Sequence, residues 1–451
     1  MLSSTAVRGR GRFVSAVAER ALPAGFSIAC VAAGIKAALA SAAAPSAAAP
    51  PRPDMALISS AVPAAVAGTF TTNAFRAAPV THALACMRAS PYAQAVLVNS
   101  GCANAVTGAE GMANTERLTA AAGSLIGAAA PVYMMSTGVI GVQLPVQHML
   151  DALPRLATRD AAPPAWHAAA RAFMTTDTFP KLRARTFALG GRTYRLAGIC
   201  KGAGMIHPHM EGPPRKAALH ATMLGLFATD APIAPDALQE CLDAAVRVSF
   251  NCISVDGDMS TNDTVLALAN GLGGGALIRR GAPELAAFQD ALTALARELA
   301  QLIVRDGEGA TRFVEVNVRG APTFETAHAI AAAISTSALV KTALHGADAN
   351  WGRIVGAAGA APAPAPRDWR IEPQRVSVSF ESAGGTLAAV AHGTPLPFSE
   401  AHAAAVLAHE DIRVHVDLGG GTWGERACAA AQYWTCDLSA EYVAINGDYR
   451  S

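Results

Sequence analysis

Thr222 follows Ala221, downstream of Lys201-Gly202-Ala203-Gly204-Met205-Ile206-His207-Pro208. Inside a chain, threonine is an ordinary polar residue. At a new N-terminus it carries its own base. An α-amino group has a pKa of about 7.7–8.0, so it can take the hydroxyl proton near neutral pH. To free Thr222, its hydroxyl must attack the carbonyl of Ala221, and a side chain as small as alanine leaves that carbonyl accessible. Gly202 and Gly204 allow backbone shapes that other residues resist. Once free, the threonine can hold an acyl group as an ester, which divides a difficult transfer into two exchange steps.

Such chemistry needs donors facing the developing negative charge. Ser136-Thr137-Gly138-Val139-Ile140-Gly141 follows the apolar, strand-like Val132-Tyr133-Met134-Met135. A strand ending in Thr137 and Gly138 offers a hydroxyl and a backbone N–H to an oxyanion. Taken alone, the motif also describes an ordinary strand-to-loop turn. His207 and His209 have no third ligand at a supporting spacing, and Pro208 between them implies a loop, so no metal is expected. Gly271-Leu272-Gly273-Gly274-Gly275 lacks the Lys-Ser/Thr ending of a phosphate loop and reads as a turn. In Asp256-Gly257-Asp258 with Asn262-Asp263, the glycine is misplaced for a calcium loop and the terminal glutamate is missing, so a structural turn is expected.

The elements that must position these residues alternate between strand and helix patterns. Val314, Val316 and Val318 alternate with polar residues; so do Val376, Val378 and Phe380, and Ile412, Val414, Val416 and Leu418. These predict half-buried strands. Phe187 and Leu189, then Gly190-Gly191, then Tyr194 and Leu196 predict a hairpin. Leu285, Phe288, Leu292, Leu295, Leu299 and Leu302 mark one face of a helix beginning near Pro283. Strands and helices mix in both halves, which implies layered α/β architecture.

The 451 residues imply two or three domains, or two large α/β lobes, and a 52% hydrophobic content supports a sizeable core. A net charge of +1 gives no electrostatic basis for binding nucleic acid or an anionic membrane. No run of 18 strongly apolar residues predicts a membrane span. The eight cysteines form no C-x-x-C pair, which argues against zinc or a disulfide framework and for a reducing compartment. Arg8, Arg10, Arg12 and Arg20 lie among Ser, Ala and Val, with Glu19 the only acid before Asp54. That composition predicts a mitochondrial transit peptide over residues 1–22, the alternative being a basic tail. Residues 37–53 and 360–366 are Ala-Pro-rich and read as surface loops without chemistry.

Seven separated segments carry a more specific resemblance. They are Lys201 to Pro208 with Ala221 to Ala231 (ATMLGLFATDA), Ser136 to Gly141 (STGVIG), Met174 to Lys181 (MTTDTFPK) and Ser249 to Thr264 (SFNCISVDGDMSTNDT), then Arg305 to Thr311 (RDGEGAT), Asn350 to Arg353 (NWGR) and Ile445 to Arg450 (INGDYR). Taken together in chain order they resemble the glutamate N-acetyltransferase / ornithine acetyltransferase family of arginine biosynthesis, from about Pro23 to Ser451. The resemblance implies a self-processing precursor cut between Ala221 and Thr222, giving an α chain (23–221) and a β chain (222–451). It implies a layered αββα sandwich of the kind shared with self-processing aminopeptidases. It also implies transfer of acetyl from N2-acetylornithine to L-glutamate through acetyl-Thr222, with acetyl-CoA as a second donor and no bound cofactor. Thr137 and Gly138 match the oxyanion hole. Thr175, Lys201, Thr222, Glu308, Asn446 and Ser451 match the substrate contacts. An α2β2 assembly in the mitochondrial matrix follows, cytoplasm being the alternative.

Those residue types suit the substrates. Glutamate and ornithine carry an α-carboxylate that Lys201 can pair with. Glu308 can attract an ammonium or orient an incoming amine, and Asn446 and Ser451 add uncharged hydrogen bonds. The chain departs from the family at Glu211 to His220 (EGPPRKAALH), ten residues inserted before the scissile bond. A displacement of about 1 Å there can cost about 100-fold in rate. Three expectations stand: an outward bulge with cleavage intact, an error in the gene model, or an uncleaved, inactive chain. Cys102 where asparagine is common, Ala349 for proline and Ser451 for threonine are smaller departures. A self-processing aminopeptidase or amidohydrolase of the same fold is the other catalytic reading.

Overall fold

A computed structural model describes residues 11–39, 52–212 and 223–447. Ala221, Thr222 and Ser451, and the insertion from residue 213 onward, lie outside them. The chain divides into two compact units. Unit 1 takes residues up to Asn251 and Met259–Ile303; unit 2 takes Cys252–Asp258 and the chain from Val304.

Unit 1 is built on nine strands: β1 (Phe26–Val31), β2 (Met55–Thr71), β3 (Tyr92–Cys102), β4 (Val132–Val139), β5 (Lys181–Leu189), β6 (Arg192–Lys201), β7 (Met210–Glu211), β8 (Leu224–Thr229) and β10 (Thr264–Ala269), with β9 (Ile253–Ser254) in unit 2. The order is β4-β3-β2-β10-β8-β6-β5, with β1 and β7 also paired to β2. The β3–β4 and β8–β10 pairs are parallel and the rest antiparallel. Pro63 has no N–H to give a ladder. It falls where the β2–β3 register breaks, between Ser59 and Ala64.

Period-two alternation sorts the sheet's side chains onto two faces. Ala56, Ile58, Val96 and Val98 join one core with Trp166 and Phe173 of the helix Pro163–Phe173. Met55, Leu57, Ala95 and Leu97 join the other with Leu118 and Ala122 of the helix Gly108–Ile126. β8 and β10 are buried at every residue. This is why both read as continuous apolar runs rather than alternating ones. Each large apolar side chain so buried stabilises the fold by about 1.5–3 kcal/mol.

The predicted hairpin is β5–β6, with Leu189 opposite Arg192. The helix predicted near Pro283 is Leu285–Arg305, which buries Phe288, Leu292, Leu295, Leu299 and Leu302. Residues 37–39 correct the loop expected at 37–53, because they close the short helix Ile35–Leu39. The Asp54 carboxylate holds that helix's start, accepting from Ala33 and Ile35 N–H at 2.6 and 2.7 Å. Leu22 is buried, Phe13 stacks on Phe179 at 5.7 Å, and Arg183 donates to the Phe13 carbonyl. The described part of the expected transit segment therefore packs on unit 1.

Unit 2 holds a seven-stranded sheet: β9, then β11 (Phe313–Ala321), β12 (Ser377–Ser382), β13 (Gly385–Ala391), β14 (Thr394–Pro395), β15 (Asp411–Asp417) and β16 (Ala429–Cys436). The order is β14-β13-β12-β15-β11-β16-β9. The alternating valines of β11, β12 and β15 are the buried ones, as predicted. The helices Phe324–Thr336 and Ala338–His345 begin at Thr323 and Ser337, whose hydroxyls cap the first-turn N–H groups. Among the described residues, no single helix is long and apolar enough to cross a membrane.

Candidate active site

Ser136-Thr137-Gly138 lie near the end of β4, before Val139, and Ser136 and Thr137 are buried. Ser136 Oγ donates to Asn99 Oδ1 at 2.6 Å, and Asn99 Nδ2 donates to the Cys102 carbonyl at 2.9 Å. Gly138 has φ +132°, and a Cβ there would lie 2.2 Å from the Gly101 carbonyl carbon. Only glycine allows β3 and β4 to approach so closely. The expected oxyanion hole therefore has its backbone packed tightly between β3 and β4, and donors fixed in place in advance are the most effective.

Lys201 closes β6 and is 3% exposed. Its Nζ donates to Thr137 Oγ1 at 3.3 Å. Two residues predicted from separate motifs thus meet. Lysine has only hydrogens to give, so the Thr137 oxygen accepts and the Thr137 hydrogen is directed elsewhere. In the β6–β8 ladder Lys201 stands opposite Leu224, two residues beyond Thr222.

Asp177 was missed by sequence reasoning, although it stands two residues after Thr175 in a quoted motif. Its Oδ1 accepts from Lys181 Nζ at 2.7 Å and from Gly202 N–H at 2.8 Å, while Oδ2 accepts from Thr175 N–H at 3.0 Å. Burial alone would push this carboxyl up. The Lys181 and Lys201 ammonium groups and the Gly202 N–H outweigh it and hold the carboxyl well below the usual range. One carboxylate thus orders the Thr175 segment and the turn after Lys201. Arg52, at the end of the Ala-Pro-rich run, donates to the Met174 carbonyl. With Lys36 it adds positive charge beside Lys201.

The described residues on either side of the expected cleavage junction are anchored. Met210 exchanges two hydrogen bonds with the Asn251 amide, at 2.7 and 2.8 Å. Glu211 pairs with Phe70 of β2. Beyond the junction, the Met223 carbonyl accepts from Thr264 N–H at 2.7 Å, and Leu224 pairs with Thr264. Thr264 in turn pairs with Phe70. Glu211 and Leu224 therefore lie on one rung, three strand spacings or about 14 Å apart. The intervening residues could reach about 40 Å if extended, so the insertion's length demands no shift of either anchor. His207 and His209 lie in a loop with their Nε2 atoms 3.3 Å apart.

In unit 2, Glu308 is buried and Asn446 is exposed on the helix Ala440–Gly447. Asn446 Nδ2 donates to Glu308 Oε2 at 2.8 Å. Gly309 allows this contact: at φ +66°, a Cβ would lie 2.5 Å from the Tyr442 nitrogen. Burial raises the Tyr442 phenol, and Asp256, which accepts its hydrogen bond, and Asp258 raise it further. The Asp256-Gly257-Asp258 bend is closed by Gly257 N–H on Ser254 Oγ, as a structural turn should be. Glu308 and Asn446, predicted from motifs far apart in the chain, are in direct contact.

The model of the ArgJ family matches residues 32–451. A curated Malassezia globosa protein named mitochondrial arginine biosynthesis bifunctional protein ArgJ is 49% identical over 96% of this chain and 95% of its own length. The crystal structure of the Bacillus halodurans arginine biosynthesis bifunctional protein is 37% identical, covers 49% of this chain and 96% of that chain, and has a TM-score of 0.44. Ornithine acetyltransferase from Mycobacterium tuberculosis, solved with ornithine, is 33% identical, covers 43% of this chain and 97% of that chain, and has a TM-score of 0.36.

Proposed function

This chain belongs to the ArgJ family, and on that footing we propose that it is a mitochondrial acyltransferase of arginine biosynthesis that moves acetyl from N2-acetylornithine to L-glutamate. Autocatalytic cleavage at Ala221-Thr222 leaves Thr222 as the N-terminal nucleophile of the β chain. Its α-amino group takes the hydroxyl proton as Oγ attacks the acetyl carbonyl. The tetrahedral oxyanion then faces the Thr137 hydroxyl and the Gly138 N–H. The α-ammonium returns the proton to the departing ornithine nitrogen, leaving acetyl-Thr222. The glutamate amine attacks that ester through a second oxyanion in the same hole, and Thr222 recovers its proton.

The observation that carries this reading is the buried Lys201–Thr137 contact. It leaves the Thr137 hydrogen free for the oxyanion and brings a cation close to the developing charge. Lys201, Lys36 and Arg52 suit an α-carboxylate. Glu308, held by Asn446, suits the substrate ammonium, and Thr175 and Ser451 complete the contacts. Acetyl-CoA serves as an alternative donor without being a resident cofactor. The α and β chains assemble as α2β2 in the matrix. The insertion 211–220 leaves cleavage intact, since the anchors on either side of it hold their places in the sheet.

The test is release of ornithine from N-acetylornithine. It should occur with the purified protein only when glutamate is present. Steady hydrolysis without an acceptor would instead favour a self-processing amidohydrolase.

A further inference from the structure

Asn262 is 1% exposed and lies in the turn leading into β10. Its Nδ2 uses both hydrogens on two main-chain carbonyls, Ser136 at 2.8 Å and Ala103 at 2.5 Å. Its Oδ1 accepts from Thr261 Oγ1 at 2.7 Å. Two residues later, Thr264 N–H donates to the Met223 carbonyl, while Thr264 Oγ1 donates back to the Asn262 carbonyl at 3.0 Å. The stretch is held from behind by Thr71 N–H on the Asp263 carbonyl and Ala77 N–H on the Thr261 carbonyl.

Ser136 immediately precedes Thr137, and Met223 immediately follows Thr222. A three-residue stretch therefore bonds to the main chain one peptide away from the oxyanion donor and one peptide away from the nucleophile. We infer that Asn262 is a positioning residue that fixes the main chain beside Thr137 relative to Met223 at the entry to β8, an inference that rests on the function proposed above. Among the described residues, the Asn262 side chain bonds two main-chain carbonyls and the Thr261 hydroxyl. Its contribution is geometric, and a misplacement of about 1 Å is worth about 100-fold in rate. Cleavage and acetyl transfer use the same nucleophile and the same hole, so both should slow together.

Asn262→Asp keeps the shape but turns a carboxylate oxygen toward the carbonyls that Nδ2 bridges. Thr261→Val is the milder variant, removing only the hydroxyl that orients the amide. Ser249→Ala is the control. It deletes another buried hydrogen bond of unit 1, from Ser249 Oγ to the Ala245 carbonyl at 2.6 Å, that touches none of these residues.

The experiment compares melting temperature, cleavage rate by intact mass, and kcat and KM for N-acetylornithine. The expected result is a kcat loss of about 100-fold for Asn262→Asp and about threefold to tenfold for Thr261→Val, with KM little changed. Cleavage should slow by a similar factor, and Ser249→Ala should keep its kcat despite a comparable loss of melting temperature. If Asn262→Asp does not fold, Thr261→Val against Ser249→Ala decides. Wild-type kcat in the Asn262 or Thr261 variants, or losses that track melting temperature across all three variants, would overturn the inference. A wild-type protein that neither cleaves nor transfers acetyl would instead overturn the reading on which it rests.

Discussion

The Lys201 ammonium lies 3.3 Å from the Thr137 hydroxyl oxygen, with both side chains buried. The pairing occupies one acceptor position of the Thr137 oxygen and leaves its hydrogen to donate elsewhere. Thr137→Val and Lys201→Met should therefore each lower kcat, by about 10²–10³-fold for Thr137→Val, the range for losing one oxyanion donor. The double variant should lose less than the product of the two, because each change removes the same interaction. A double-mutant cycle on kcat checks this, and full additivity would refute the coupling.

Gly138→Ala should be far more damaging than alanine at an unconstrained glycine. Its Cβ would meet the Gly101 and Cys102 backbone at 2.2–2.6 Å. Relief requires β3 and β4 to separate, which costs about 1–3 kcal/mol and moves the Gly138 N–H. Gly356, in the helix Trp351–Gly359, has nothing within 4 Å of its built Cβ. Gly356→Ala should be neutral or stabilising by about 0.4–1 kcal/mol. Thermal unfolding and kcat of the two variants give the comparison.

Asp177 predicts an acid-side dependence of stability. Its carboxyl sits below its unfolded value of about 3.9, so its contribution is fully present above that pH. The contribution is lost as pH falls from there toward the folded-state value. Asp177→Asn should lower stability at neutral pH by about 3–5 kcal/mol, the range for breaking a buried pair. The variant's melting temperature should also fall less steeply than that of the wild type between pH 5 and 3, which a pH series of thermal melts would measure.

The Glu308–Asn446 pair predicts a binding effect. Glu308→Gln keeps the shape and removes the charge, so KM for N-acetylornithine should rise about tenfold with kcat nearly unchanged. Asn446→Ala should follow in the same direction with a smaller effect, since Glu308 stays charged but loses one hydrogen bond. A fall in kcat at constant KM would place Glu308 in the chemistry instead.

The parts of the site that were legible in the sequence are those whose chemistry is local. A strand running into Thr137-Gly138 announces its donors, and Val314, Val316 and Val318 announce a buried face. Asp177 did not stand out because, although Lys181 is only four residues away, its bond to the Gly202 N–H is made only when β5 and β6 pair. Asn262 read as part of a turn because the two carbonyls it holds lie more than a hundred residues away. The helix Ile35–Leu39 was hidden in an alanine-rich run, and its start is held by Asp54, another contact made only in the fold. The expected boundary at 221–222 falls inside unit 1, because β8 completes a sheet begun by residues on the other side of the cut. Ladder pairing joins distant segments, and composition does not show it.

The central claim is that Thr222 becomes an N-terminal nucleophile that carries acetyl. Intact-mass analysis of purified protein, before and after mixing with N-acetylornithine in the absence of glutamate, tests it most directly. The expected result is a chain beginning at Thr222 that becomes heavier by one acetyl group, and whose acetyl disappears when glutamate is added. Uncut chain alone, or a cut chain that never gains acetyl, would contradict it.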